Sequence, residues 1–550
     1  MSESAPSPNM IRLTVDGQPV TAPKGANAIQ AARAAGVHIP HYCWHEKLSV
    51  SGNCRMCLVE IGLPRLDPDR KPILDASGAP EISWMPRPQI ACATPVTEGM
   101  AIRTESELVR NCRRGVMEFL LLNHPLDCPI CDQAGECHLQ QYSVEYGAGR
   151  SRFVEEKERK PKRVRLGPRV TLDDERCILC SRCIRFCQEI AKDDVLGFFE
   201  RGGYTRLGCY PGHELENNYS LNTVDLCPVG ALTSTDFRFK MRLWFLKETD
   251  SVCSSCARGC NIIVGAREGV ISRFTPRRND AVNSEWMCDA GRLNYRWVHD
   301  TRRLTEPIRR ESGMARAASW DEALRACREG LAAAQGRVAI LASARLATEE
   351  LFLIRHLAKA LECDLLDVLP REGAADRLLV MADRNPNTAG ARLTGVAAAP
   401  PGGRLAALRE AVKQGKVEAL LAVGECAVQA GIPEEALARL KLFAAVDILP
   451  SRSTELAHWI FPGAAHLEKY GTFVSGQGRM QRFAPAFPPK GGARPEREIL
   501  AAFLPEKERE AFATFDAVFA EMCAEIPEFS GVTWKRLGTQ GLPVAGEMKP

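Results

Sequence analysis

Residues 177–187 read CILCSRCIRFC, and residues 226–232 read LCPVGAL. Cys177, Cys180 and Cys183 form a C-x-x-C-x-x-C triplet tight enough to wrap three corners of a cubane. The remote Cys227, followed by Pro228, supplies the fourth corner, as in bacterial-type ferredoxins. The pattern predicts a [4Fe–4S] site. Cys187 extends the triplet, but Gln188 rather than proline follows it and no second tight triplet precedes Cys227, so it reads as a spare core thiol.

Upstream, three further cysteines stand in NHPLDCPICDQAGEC, residues 123–137: Cys128, Cys131 and Cys137. Alone they leave one cubane iron without a protein ligand. His124 lies four residues before Cys128, and imidazole is a competent iron ligand. Zinc bound by three cysteines and one histidine competes for the same residues on this segment alone. Neutral imidazole in place of thiolate removes one negative charge, which favours the reduced state of a cluster.

Nearer the N-terminus, Ile11–Val15, an Asp16-Gly17 turn and Pro19–Ala22 read as a hairpin. An Ala-rich helix over Ala26–Ala35 follows, ended by Gly36. Then come Cys43, Cys54, Cys57 and, after a Pro-rich excursion, Cys92. Three local cysteines and one distant one are the plant-type ferredoxin layout, although the first gap is longer here; this favours [2Fe–2S] over zinc. Ser51, Gly52 and Asn53 are small enough to let the backbone approach bound sulfide. Downstream, Cys253, Cys256, Cys260 and Cys288 stand in SVCSSCARGCN and WMCDAGR. Four thiolates suit another cubane, with zinc a fair rival.

Composition agrees with metal chemistry. Of 22 cysteines, eighteen fall between Cys43 and Cys288. A disulfide scaffold is usually small and secreted, whereas this chain has 550 residues, enough for several domains. Residues Met1–Met10 are polar and lack the apolar core of a signal peptide, which argues against export. No apolar run reaches the ~20 residues of a membrane helix, so no direct span is expected. A net charge of +4 gives no reason to invoke nucleic acid. The mixed-sign run EEKERKPKRVRLGPR, Glu155–Arg169, reads as a solvated connector. Arg182 and Arg185 are candidates for tuning a cluster potential or meeting an acidic partner. The isolated Cys112, Cys209, Cys327, Cys363, Cys426 and Cys523 read as core thiols.

Past residue 300 the pattern becomes α/β. Ser319 with Glu322 makes a capping box opening a helix through Gly330. Apolar runs Val338–Leu341, Leu420–Val423 and Ala445–Leu449 alternate with helical stretches such as Glu349–Leu361, predicting a largely parallel, covered sheet. LTGVAAAPPGGR, Leu393–Arg404, reads as a flexible or interface loop. No nucleotide-binding glycine fingerprint occurs.

With four ligand sets assembled, the chain resembles the large iron–sulfur subunit of NADH–quinone oxidoreductase, respiratory complex I, over nearly its whole length. HPLDCPICDQAGEC is the most specific part; in that family the histidine and three cysteines bind a [4Fe–4S] cluster, which makes His124 a ligand by resemblance. RLTEPIRR, SWDEAL and EKYGTFVSGQGRMQ (Glu468–Gln481) are similar to the family's molybdopterin-oxidoreductase-like region, which looks shortened here and lacks a Cys-His pair of the formate dehydrogenase kind.

The resemblance implies an α+β multidomain chain. A β-grasp [2Fe–2S] ferredoxin domain is expected over 9–115, and a [4Fe–4S] domain with one histidine and three cysteines as ligands over 116–156. A [4Fe–4S] ferredoxin-like domain follows over 157–245. A further [4Fe–4S] domain of the Mo/W bis-MGD type over 246–302 and a molybdopterin-oxidoreductase-like α/β domain over 303–550 complete it. The expected cofactors are one [2Fe–2S] and three [4Fe–4S] clusters, with no molybdenum. The expected partners are other complex I subunits, above all the NADH-binding flavoprotein and the quinone-side iron–sulfur subunit, in the peripheral arm on the cytoplasmic face of a bacterial inner membrane. The clusters relay electrons and no side chain performs acid–base or nucleophilic chemistry. The rival reading is a component of a soluble NAD-linked formate dehydrogenase or hydrogenase; a third is a zinc-rich scaffold.

Overall fold

A computed structural model describes residues 9–546, except 77 and 312; the polar run before residue 9 lies outside it. The chain forms two compact units, one ending at Trp244 and one beginning at Phe245.

The first unit opens with strands Met10–Val15 and Gln18–Pro23, paired antiparallel across Asp16 and Gly17. Both turn residues have positive φ, 49° and 81°, as a two-residue hairpin turn matching strand twist requires. The Asp16 carboxylate accepts from the Thr104 N–H at 2.7 Å and the Thr104 hydroxyl at 2.6 Å. That ties the hairpin to Ala101–Arg103, which pairs parallel with Met10–Val15. Leu58–Pro64 and Ile82–Trp84 extend this mixed sheet.

The helix runs Ala28–Ala34, two residues later than the Ala-rich stretch begins. Asn27 sets its start, accepting from the Gln30 N–H while the Gln30 side chain accepts from the Asn27 N–H. Leu13, Val15, Ile29, Val59, Ile61 and Ile102 fill the space between helix and sheet, and Cys57 and Cys92 border the same core.

Helices Glu107–Leu122 and His138–Tyr146 lead to a small sheet of Val164–Arg165, Val170–Leu172 and Leu232–Ser234. The charged run between them departs from a purely solvated connector. Lys157 donates to the Leu121 and Leu122 carbonyls at 2.9 and 2.8 Å, satisfying C-terminal groups of the first helix. Lys162 bridges Asp127 and Glu175 at 2.6 and 2.5 Å. Lys157 and Lys162 tether the run back onto the unit, while most of its other residues stay exposed.

The second unit begins with an antiparallel sheet of Lys247–Val252, Asn261–Arg267 and Val270–Pro276. Beyond it stands a seven-stranded sheet. Trp459–Pro462, Leu442–Asp447, Ala419–Val423, Val338–Ala342 and Leu365–Val368 run parallel in that order, and Ile308–Glu311 and Met314–Ala317 add an antiparallel edge. Ile340, Leu421 and Ala444 pack into a core on one face, and Leu341, Leu420 and Phe443 into a core on the other. Burial on both faces explains why these strands read as continuous apolar runs.

The predicted strand at Ala445–Leu449 is shifted to Leu442–Asp447, where Leu442 to Val446 stand opposite Ala419 to Val423. Helices Trp320–Ala333, capped by Ser319, and Thr348–Ala360 fall close to their predicted places. The Leu393–Arg404 segment is held rather than loose. Its first residue ends the helix Thr388–Leu393, and the buried Asp367 carboxylate accepts from the N–H groups of Ala398, Gly402 and Arg404 at 2.7–3.1 Å.

Candidate metal centres

Cys177, Cys180, Cys183 and Cys227 line one cavity with Leu179, Phe198, Leu207, Val229 and Leu232. The triplet curls round it because Leu179 and Ser181 take left-handed φ of 54° and 64°, a local cost that a surrounding structure must hold in place. The Leu179 N–H donates to Cys177 Sγ at 3.4 Å. Cys227 caps the C-terminus of the helix Asn222–Leu226. Burial, reinforced by Cys180, pushes the Cys227 thiol up to about 12. A metal entering here must therefore displace protons from the thiols. Cys187 is buried but does not line this cavity.

His124, Cys128, Cys131 and Cys137 line a second cavity together with Gln140, Arg176 and Gly230. Burial, with the charges of Arg176 and Lys157, holds the His124 imidazole down at about 4. The ring is neutral at physiological pH and keeps a lone pair for coordination. Cys128 is exposed, so this cavity lies near the surface of its unit.

In the first set the sulfurs form a chain. The thiol of Cys43 is in hydrogen-bonding contact with those of Cys54 and Cys92, and that of Cys57 with Cys92. The four sulfurs are thus gathered at one place, as the ligands of a binuclear cluster must be. Gly52 and Arg55 turn the loop with φ of 67° and 58°. This loop interlocks with the third set: the Asn53 side chain donates to the Leu179 carbonyl at 3.0 Å, and the Ser51 and Ser181 hydroxyls lie 3.2 Å apart.

The fourth set belongs to the second unit. The Cys253 N–H donates to the Cys260 carbonyl at 2.8 Å, closing the loop between two strands. Cys288 Sγ accepts from the Gly291 N–H at 3.3 Å. A Cβ at Gly291 would stand 3.1 Å from Cys288 Sγ and 3.2 Å from Cys253 Sγ, so both sulfurs face this glycine. All four cysteines are buried. Burial raises the thiols of Cys253 and Cys288 to about 12 and about 11, and Cys256 adds to both shifts.

Among the described residues no three or more His, Cys, Asp or Glu side chains are drawn to the spacing of a single metal ion. The second and third sets line cavities instead. Buried thiols around a cavity, N–H donors to sulfur and glycines where a side chain would collide are what cluster binding requires, so the residues fit the group. Sequence reasoning missed Gly230, whose only signal is its place after Cys227-Pro228. It named Arg182 and Arg185 without their placement. Both are buried, which removes the possibility that they meet an acidic partner.

Comparison with known proteins assigns each segment. A 2Fe-2S iron-sulfur cluster binding domain matches residues 8–107, and the NADH-ubiquinone oxidoreductase-G iron-sulfur binding region matches 113–152. The ferredoxin-like domain of NADH-quinone oxidoreductase subunit 3 matches 167–233, and the NDSU1/NuoG-like 4Fe-4S domain matches 246–296. A molybdopterin oxidoreductase domain matches 363–505. The chain is thus a multidomain protein with iron–sulfur binding domains of both the 2Fe-2S and 4Fe-4S kinds.

NADH-quinone oxidoreductase subunit 3 of Thermus thermophilus is 42% identical over 379 residues, 66% of this chain and 48% of that protein. The mitochondrial NADH-ubiquinone oxidoreductase 78 kDa subunit of Neurospora crassa is 44% identical over 324 residues, 59% of this chain and 41% of that protein. An NADH-quinone oxidoreductase subunit of Rickettsia bellii is 39% identical over 360 residues, 65% of this chain and 50% of that protein. A solved NAD+-reducing [NiFe]-hydrogenase chain is 28% identical, covering 42% of this chain and 91% of its own, at a TM-score of 0.35, too low to bear on the fold. The chain belongs to the family of large iron–sulfur subunits of NADH-quinone oxidoreductase. It spans about half the length of the curated relatives it matches.

Proposed function

We propose that this chain relays electrons within an NADH:quinone oxidoreductase, from an NADH-oxidising flavoprotein toward a quinone-side iron–sulfur subunit, while the whole complex translocates protons. Cys43, Cys54, Cys57 and Cys92 hold a [2Fe–2S] cluster. His124 with Cys128, Cys131 and Cys137, then Cys177, Cys180, Cys183 and Cys227, then Cys253, Cys256, Cys260 and Cys288, hold three [4Fe–4S] clusters. The domain divisions follow these sets, at 9–115, 116–156, 157–245 and 246–302, with the molybdopterin-oxidoreductase-like region after them binding no molybdenum. The chain sits in the peripheral arm of that membrane complex, on the cytoplasmic side of a bacterial inner membrane; in the chain itself no described helix is long and apolar enough to cross one.

The observation that carries this reading is the second cavity. A neutral imidazole and three cysteines line one space, within the segment that the NADH-ubiquinone oxidoreductase-G iron-sulfur binding region matches. The bound clusters supply one-electron transfer, and the chain supplies spacing, burial and hydrogen bonds.

The test is to isolate the membrane complex containing this chain and add NADH anaerobically. Reduction of the chain's clusters within the turnover time is expected. Clusters that stay oxidised with NADH but reduce with formate or hydrogen, alongside stoichiometric molybdenum, tungsten or nickel, would assign it to the rival enzymes.

A further inference from the structure

Two guanidinium groups lie between the first and third cysteine sets. Arg182 and Arg185 are 6% and 8% exposed and stand on the helix Arg182–Phe186, which also carries Cys183. Arg182 donates to the Trp44 carbonyl at 2.6 Å, beside Cys43, and to the Leu226 carbonyl at 3.3 Å, beside Cys227. Arg185 donates to the carbonyls of Cys43 and Ser49 and, at 3.5 Å, to that of Cys180. Each side chain therefore touches the backbone of both sets.

A buried cation is costly without counter-charge. Arg176, equally buried, has it: Asp127 and Asp173 lie 3.0 and 3.3 Å away. Arg182 and Arg185 make their hydrogen bonds to carbonyls and, for Arg185, the Ser181 hydroxyl, and among the described residues neither is paired with a carboxylate. Glu189, one turn beyond Arg185, is taken by the N–H and hydroxyl of Ser49. What each guanidinium meets instead is the backbone of the two ligand loops.

Resting on the cluster assignment above, we propose that Arg182 and Arg185 are positioning residues shared by the two clusters, whose positive charge holds both reduction potentials up. Each cluster gains a negative charge on reduction, in a site shielded from water. A fixed cation beside it favours the reduced form. Because the cations stand between the sets, losing one is felt by both clusters. The carbonyl contacts also fix the distance between the two loops.

The test uses the full chain with its clusters in place, titrated by ambient potential and followed by paramagnetic resonance. Arg182→Gln is expected to shift the reduced-to-oxidised ratio of both clusters tenfold toward oxidised, about 59 mV for a one-electron couple. The signals from the second and fourth sets should stay at wild-type potentials. Arg182→Lys keeps the charge but not the planar fork, and both potentials should stay near wild type. Wild-type potentials in Arg182→Gln, or a shift confined to one cluster, would overturn the proposal. If Arg182→Gln fails to hold iron, Arg182→Lys decides: wild-type potentials support the proposal, whereas lost clusters or a tenfold fall contradict it. Failure of the wild-type chain to show the two signals would instead defeat the ligand assignment.

Discussion

Full-length protein carrying Gly230→Ala is expected to lose one cubane, with iron falling by about four atoms per chain. A Cβ at residue 230 would stand 2.2 Å from Cys131 Sγ and 3.2 Å from Gln133 Cβ. Cys131 has a single side-chain torsion, so relief of that clash means swinging its sulfur out of the cavity it shares with His124, Cys128 and Cys137. If Cys131 is a ligand, the swing costs the cluster. If it is an idle thiol, the swing is cheap and the iron content stays at the wild-type value. Iron quantification with the paramagnetic signature of the second cluster separates the two results, and the other three clusters serve as internal controls.

The second large effect is expected in the other unit. Lys469 is 5% exposed at its side chain and lies between two buried carboxylates, Glu350 at 2.7 Å and Glu496 in direct contact. Burial has already pushed the Glu496 carboxyl up to about 7, with Lys469 the chief influence holding it down. Lys469→Met removes the one cation and leaves two acids out of water. Breaking a buried pair from one side costs about 3–5 kcal/mol.

The loss should depend on pH with a definite sign. A carboxyl whose folded pKa lies above its unfolded value contributes stability at low pH that is lost as pH rises through the folded value. Without Lys469 the Glu496 carboxyl moves further above about 7, so destabilisation of the variant is expected to be largest at high pH and to shrink as pH falls toward 7. Adding Glu350→Gln to the variant should recover part of it. Denaturant unfolding of the full chain at several pH values checks both; equal loss at every pH would show that packing, not charge, is responsible.

Much of this was legible in the sequence. Local spacing brings together the triplet at Cys177, Cys180 and Cys183, and also Cys128, Cys131 and Cys137, because ligands within a few residues share one loop. Apolar runs such as Val338–Leu341 announced a sheet covered on both faces. What was not legible depends on contacts between distant segments. Arg182 reaching Trp44, 138 residues away, has no sequence signature, since a guanidinium meeting a carbonyl requires no partner type. Asp367 gathering three N–H groups of a low-complexity loop is of the same kind, as are the lysines of the charged run that fold back onto helix ends and carboxylates. Gly230 was invisible because its reason is the sulfur of Cys131, far upstream in the chain.

The central claim is that the chain holds one binuclear and three cubane iron–sulfur clusters. Anaerobic quantification of iron, acid-labile sulfide and zinc on the full-length protein tests it most directly. The account predicts about fourteen irons and as many sulfides per chain, with zinc near zero. Stoichiometric zinc with little iron or sulfide would contradict it.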